Sequence, residues 1–233
     1  TTTSGGRRGG GTTPPAGGGR GTRGWPPTGR APAEDFFVDG GSSGISYGGS
    51  TTNTANRSVS ISGRTGGTVT LSGNISDTGT GILVQNGTGG TVELTGTAKT
   101  LSTGANAAVT LSSNTGATVN FTGGGLAITT TTGSGFSATG GGAVTVAGAD
   151  NTISSPSGVA LNVANTTIGS GNLVFRSISA GNASADPDPA SGIVLNNTGS
   201  AGRLQVTGSG TAGSGGTIRN TTGHGISLTS TTN

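Results

Sequence analysis

The chain has no cysteine and no methionine, and only 8% of its 233 residues are charged and 3% aromatic. Without cysteine there is neither a disulfide framework nor a thiolate metal site. No apolar run approaches the roughly 18 residues of a membrane-spanning helix. The first residues, TTTSGGRRGG, hold neither an initiator methionine nor an apolar signal segment, and the sequence reads as a piece of a longer protein. Hydrophobic residues make up 28% of the chain, where roughly half is usual for a globular domain. So little apolar side chain cannot fill a wide two-layer core, but it suffices for a narrow one.

What is abundant is glycine, with 51 residues, together with Thr, Ser and Asn. High glycine with few aromatics often marks a chain that never packs. Here the charge is too sparse to hold a chain open by self-repulsion. The apolar residues are also ordered, in short alternating runs of Val, Ile, Leu and Phe with Thr and Ser between them. Period-two alternation rich in β-branched residues and bounded by Gly and Asn predicts short half-buried strands.

The formal charge of +3 divides unevenly along the chain. Residues 1–33 carry Arg7, Arg8, Arg20, Arg23 and Arg30 and no acid; the remainder carries six basic and eight acidic groups. The first 40 residues are therefore expected to be a low-complexity Gly/Arg/Pro-rich tail or linker. RRGGG and GGGRGTRG resemble nucleic-acid-binding segments, but a weakly acidic β-rich body offers no second such surface, so no nucleic-acid partner is assigned. Phe36, Phe37 and Val38 form the first apolar cluster and are expected to plug an open solenoid end.

An internal repeat follows. GGTVTLSG at 66–73 recurs as GGTVELTG at 89–96, GATVNFTG at 116–123, GGAVTVAG at 141–148, GNLVFRSI at 171–178 and AGRLQVTG at 201–208. A second strand type lies between the copies: SVSIS at 58–62, GILVQN at 81–86, AAVTLSSN at 107–114, GFSATG at 135–140, GVALNVAN at 158–165, GIVLNN at 192–197 and GISLTS at 225–230. Shorter apolar touches, such as Ile75, Leu101, Ile128, Ile153, Ile178 and Ile218, supply a third. Three strands returning in fixed order every 23 to 30 residues predict the coils of a right-handed parallel β-helix. An antiparallel barrel would also show short strands, but needs no such return. Alternation places Val69 and Leu71 inward, with Val92 and Leu94, Val119 and Phe121, Val144 and Val146, and Leu204 and Val206 as counterparts. In the 171–178 copy, Leu173 and Phe175 are the inward pair, because the other register would bury Arg176 unpaired.

Asn86, Asn114, Asn165 and Asn197 recur where the second strand type ends, and are read as turn residues whose amides can bond from coil to coil. N-x-S/T also begins at Asn56, Asn74, Asn86, Asn165, Asn182, Asn196 and Asn220, a count that follows from composition.

The stretches GGTVTLSGNISDTGTGILVQNGTGG and GVALNVANTTIGSGNL resemble the β-strand repeats of large bacterial surface proteins of the adhesin or autotransporter-passenger kind. The resemblance covers about residues 42–233. It implies a β-helical passenger, export, and a stalk or adhesive role, and it supplies no catalytic positions.

Parallel β-helices also include polysaccharide lyases and hydrolases, which need clustered carboxylates on one face. Asp77, Glu93 and Asp150 are scattered and expected to be solvated. The one cluster is the 182–188 insertion, where Asp186, Asp188 and Asn182 offer oxygens for Ca2+ within one coil of Arg176 and Arg203; a Pro-stiffened surface loop is the preferred reading. His224 is the only histidine and has no nearby acid, so it reads as a turn residue. GSGFSATGGG lacks the lysine of a phosphate loop. Thr pairs such as Thr68/Thr70 raise ice binding, but Glu93 and Asn120 interrupt the outward ladder.

The expectation is an all-β parallel β-helix of about seven coils over residues 41–233. It is read as a structural or adhesive rod segment of a secreted or surface-exposed bacterial protein, able to form filaments by end-to-end or lateral association, and not as an enzyme. No catalytic, cofactor-binding or metal-ligating residue is assigned. The expected partners are further copies or neighbouring segments of the same protein, with a glycan or host surface as a further possibility. The alternative is a glycan-binding or polysaccharide-active β-helix using the 182–188 loop.

Overall fold

The computed structural model describes residues 33–184 and 187–232. The tail through residue 32, Ala185, Asp186 and Asn233 lie outside the described residues. The strands belong to the unit Pro32–Asn233.

Each repeat turns the chain through three short strands, and equivalent strands of successive repeats pair in parallel to make three sheets. The first sheet has eight strands: Phe36–Asp39, Arg57–Ser62, Gly81–Gln85, Val109–Ser112, Phe136–Thr139, Leu161–Ala164, Ile193–Asn196 and Ile226–Thr229. The second has seven: Ile45–Tyr47, Thr65–Leu71, Gly89–Leu94, Thr118–Phe121, Ala143–Val146, Thr167–Phe175 and Leu204–Val206. The third has six: Thr51–Asn53, Ile75–Asp77, Lys99–Gly104, Leu126–Thr130, Thr152–Ser155 and Ser177–Ala180. Among the described residues there is no helix, and the architecture is a parallel β-solenoid. It has about six turns rather than seven, because the third face of the seventh is reduced to the single bridge between Ala180 and Ile218. At roughly 4.8 Å per rung the first sheet spans about 34 Å.

The core is a set of vertical ladders. In the second sheet Ile45, Val69, Val92, Val119 and Val144 lie in register, as do Leu71, Leu94, Phe121 and Val146. In the first sheet the same holds for Val59, Ile82, Val109, Phe136, Leu161 and Ile193. Phe136 reaches across the core to meet Phe121 edge-on at 5.5 Å between centroids and Phe175 at 6.3 Å, filling the centre of the stack.

Three expectations are corrected. Phe36, Phe37 and Val38 form no plug: Phe36–Asp39 is the first rung of the first sheet, with Phe36 paired to Val59 and Val38 to Ile61. Val144 is followed in its ladder by Ile168, and Leu173 pairs with Val146, because residues 169–172 bulge out of the strand. Leu173 and Phe175 are buried as expected. Val206 is not, since no rung of its sheet lies beyond it.

The turn out of the first sheet opens in the same way in every coil. The residue after each strand is left-handed: Gly40, Gly63, Asn86, Ser113, Gly140, Asn165, Asn197 and Ser230, with φ between 48° and 80°. Its N–H donates to the next coil, as in Asn86 to Ser112 at 3.0 Å and Asn197 to Thr229 at 3.0 Å. Asn and Gly are favoured here because other side chains crowd the following carbonyl. Asn165 and Asn197 also bond amide to amide at 3.1 Å. Asn114 departs from its expected role. Ser113 takes the left-handed position, and the buried Asn114 amide accepts from Gly87 N–H at 3.0 Å and donates to Val84 O at 2.9 Å.

Asn86→Gly is expected to leave unfolding free energy unchanged or slightly raised, and Asn86→Val to lower it by about 1–2 kcal/mol through the left-handed penalty. Urea denaturation of the two variants measures the difference.

Candidate functional site

The polar groups inside the stack come first, since a buried charge must be accounted for. Asp77, expected in solvent, is fully buried at the end of a third-sheet strand. Its Oδ1 accepts from Gly79 N–H at 2.8 Å and Gly81 N–H at 3.0 Å, and its Oδ2 from Ser58 N–H at 2.6 Å. It closes the turn back to the first sheet. In the coil before, Asn53 sits in register with it, accepting from Ala55 and Asn56 N–H and donating to Ala33 O and Asp35. Beside them burial holds the Arg57 guanidinium below its ordinary value, while the charges of Asp77 and Glu34 act the other way; Arg57 donates to Thr80 O at 2.8 Å.

Two basic groups are buried as well: Arg64, whose guanidinium donates to the carbonyls of Gly40, Ser43 and Gly66, and Lys99. Lys99 occupies an inward rung between Ile75 and Leu126. Its Nζ donates to the carbonyls of Gly96, Thr122 (3.0 Å) and Gly124 (2.8 Å), tying the turns of adjacent coils together. Asn151 does the same two coils later, accepting from Leu126 N–H and donating to Gly148 O and Val174 O, each at 3.0 Å. Burial pushes the Lys99 ammonium down to about 8. These groups are fastenings whose hydrogen-bond partners lie in the backbone, apart from the Asp35 carboxylate that accepts from Asn53, and none lines the cavities described below.

The outer acids remain apart. Glu93 accepts from the Asn120 amide at 2.8 Å, and these two interrupt the Thr ladder between Thr70 and Thr145 as expected. Asp150 pairs at 3.5 Å with Arg176, both on the surface, so Arg176 faces Asp150. In the 182–188 insertion, Asp186 lies outside the described residues. Asp188 is partly buried, and its Oδ1 has no hydrogen-bond partner among the described residues. A shallow cleft of about 400 Å3 opens beside this insertion, lined by Thr131, Thr132, Ser157, Asn182 and Ser184 with two prolines. Among the described residues no three of His, Cys, Asp and Glu gather as for a metal ion. His224 is exposed in the turn before Ile226–Thr229.

A second cavity lies at the C-terminal mouth of the core. The eighth rung of the first sheet stands one step beyond the second sheet, and Ile193, Leu195, Leu204, Val206, Ile226 and Leu228 surround a cavity of about 310 Å3. Val206 is 41%, Ile226 56% and Leu228 59% exposed, although each is the inward residue of its strand by register. At the other end, Phe36 and Tyr47 stack at 5.6 Å, and Tyr47 is 38% exposed. The repeat pattern marked Val206 as core; that it is not covered follows only from its place in the last described turn. The outer face of the third sheet carries a registered hydroxyl column, Thr52, Ser76 and Thr100, then Ala127, Thr152 and Ser177.

No protein-family model, curated protein or solved structure matches the chain.

Two outcomes follow for the buried charges. Asp77→Ala leaves three backbone donors without their acceptor and is expected to cost about 3 kcal/mol in urea denaturation. For Lys99 the folded value of about 8 lies below the ordinary 10.5, so between the two the unfolded chain binds more protons. Its contribution is then most favourable above pH 10.5 and is lost as pH falls towards 8. Denaturation across this range is expected to show stability rising with pH in the native chain relative to Lys99→Met.

Proposed function

We propose that this chain is a structural segment of an exported, surface-exposed bacterial protein, a stiff rod module with a stalk or adhesive role. The observation that carries the reading is the uninterrupted ladder: every coil is bonded to the next on the first sheet, through its left-handed turn, and on the second sheet. To release one turn, bonds on several faces and a share of the dry core must break together. Such a body transmits force along its axis and offers proteases few openings. The likeness of its repeats to those of bacterial surface proteins supports export.

Antibodies raised against the folded chain are expected to label intact cells of the source organism. Labelling only after permeabilisation would sink the surface reading. Tryptic digestion of the folded chain is expected to spare Arg57, Arg64 and Lys99, which are held within the stack; rapid cleavage there would sink the stiff-rod reading.

A second reading rests on the cleft beside the 182–188 insertion, whose hydroxyl and amide groups are the chemistry that sugars bond to. On that reading a glycan array shows retention by the native chain that is lost in Asn182→Ala, whose amide lines the cleft. Equal signals from the two chains remove it.

A further inference from the structure

The outer faces of the three sheets differ in chemistry. On the first sheet the outward ladder mixes Ser60, Leu83, Thr110, Ser137, Asn162 and Val194, and on the second Glu93 and Asn120 break the run. On the third sheet the hydroxyl column that begins at Thr52 has a companion two residues further along each strand: Thr54, Thr78, Ser102, Thr129, Ser154 and Ser179. Thr78 carries the pairing past the end of its strand, its N–H donating to Asn53 O at 2.9 Å. Each rung therefore presents Ser/Thr-x-Ser/Thr, except where Ala127 takes the first place.

Three properties set this face apart. Its groups repeat in two directions, about 4.8 Å from rung to rung and about 6.6 Å between residues two apart on a parallel strand. Neither column holds a charged residue; Asp150 and Arg176, at the margin, pair with each other, and Arg219 belongs to the next turn. Its hydroxyls are also free to bond outward. Every member from Thr52 to Ser102 is exposed, as are Thr129 and Ser154. Apart from Ser179, which accepts from Thr217 N–H at 3.2 Å, none of the column hydroxyls has a hydrogen-bond partner among the described residues.

A small soluble ligand is met by a few unlike groups gathered at one place. A surface that offers the same group at a fixed repeat in two directions fits a partner with a repeat of its own, which is a crystal face. We propose that the outer face of the third sheet binds ice. A hydroxyl donates one hydrogen bond and accepts two, so it can stand in for a water molecule of the lattice. Both spacings of the array lie near repeats of oxygen atoms in hexagonal ice. An ion would order water radially around itself, against the lattice, and this face has none. At the threonines the branched Cβ restricts χ1, which keeps the hydroxyls in step from rung to rung. The Thr pairs of the second sheet lose this regularity at Glu93 and Asn120, whereas the third sheet keeps it through six rungs.

The test is the share of the full chain taken up by ice grown slowly from a cold surface, measured beside an inert protein of similar mass in the same solution. Growing ice rejects ordinary solutes, so the native chain is expected to be enriched in the ice over the inert protein. Thr100→Lys puts a charge at the centre of the array, next to Ala127, and is expected to bring uptake down to that of the inert protein. Thr70→Lys, on the outer face of the second sheet opposite Glu93, is the matched control and is expected to keep native uptake. An unchanged thermal melt confirms that each variant is folded. Ser102→Thr combined with Ser154→Thr is expected to raise uptake, because two more hydroxyls are then held at χ1.

A native chain rejected from ice like the inert protein overturns the proposal. So does a folded Thr100→Lys chain that enters ice as the native one does. Equal losses in Thr100→Lys and Thr70→Lys also overturn it, because the contact then lies off this face. Uptake unchanged or lowered by the two added threonines has the same meaning. Retention on crystalline cellulose without uptake by ice assigns the face to a sugar lattice and overturns the ice reading. None of these results bears on cell-surface labelling or on protease protection, so the rod reading stands or falls separately.

Discussion

Everything in this molecule follows from the spacing of parallel strands. Coils stacked one rung apart leave room between their backbones for one side chain per inward position, and each such side chain rests on its equivalent in the next coil. The core is consequently a bundle of columns with no second layer, and a chain with 28% hydrophobic residues suffices to build it. The same spacing explains the glycine content, since turns lie as close to one another as strands do. At Gly81, for example, an added Cβ would meet the carbonyl oxygen of Ala108 at 2.0 Å.

Stacking turns is harder than stacking strands, because a turn leaves carbonyls and N–H groups pointing inward where no ladder partner awaits them. The protein meets this with polar side chains buried at the corners. Asp77 supplies acceptors to three donors, and Lys99 supplies donors to three acceptors, so opposite charges solve mirror-image problems at different corners. Asn53, Asn114 and Asn151 do both at once, as an amide can. These corners are satisfied by specific atoms, which fixes the order in which coils must lie.

Much of this was legible in the sequence because a strand writes its orientation locally. Alternation at Val69 and Leu71, or at Val119 and Phe121, is enough to name the inward face, and the recurrence of two strand types is enough to name the stack. The exchange of Ile168 for Leu173 opposite Val144 was hidden by the bulge at 169–172, which the repeat alignment absorbed as spacing. Asp77 and Lys99 were illegible for a different reason. A charged residue among Gly, Ser and Thr looks the same whether its neighbours turn towards it or towards water, and only the three-dimensional course of the turn decides. The character of the two ends was similarly hidden, since a core residue in the last coil has the same pattern as one in the middle.

The column of left-handed residues from Gly40 to Ser230 has a consequence for how such a chain changes length over generations. Successive members lie between 23 and 33 residues apart, yet every one is left-handed where the chain leaves the first sheet, and each from Gly40 to Asn197 hands its N–H to the same neighbouring position. A genetic duplication or deletion whose two breakpoints fall at equivalent members of the column adds or removes one whole turn and joins edges that already match. Breakpoints elsewhere splice unlike geometries together. The column therefore acts as a set of seams at which the reading frame of the architecture is preserved, and height can be gained or shed one storey at a time.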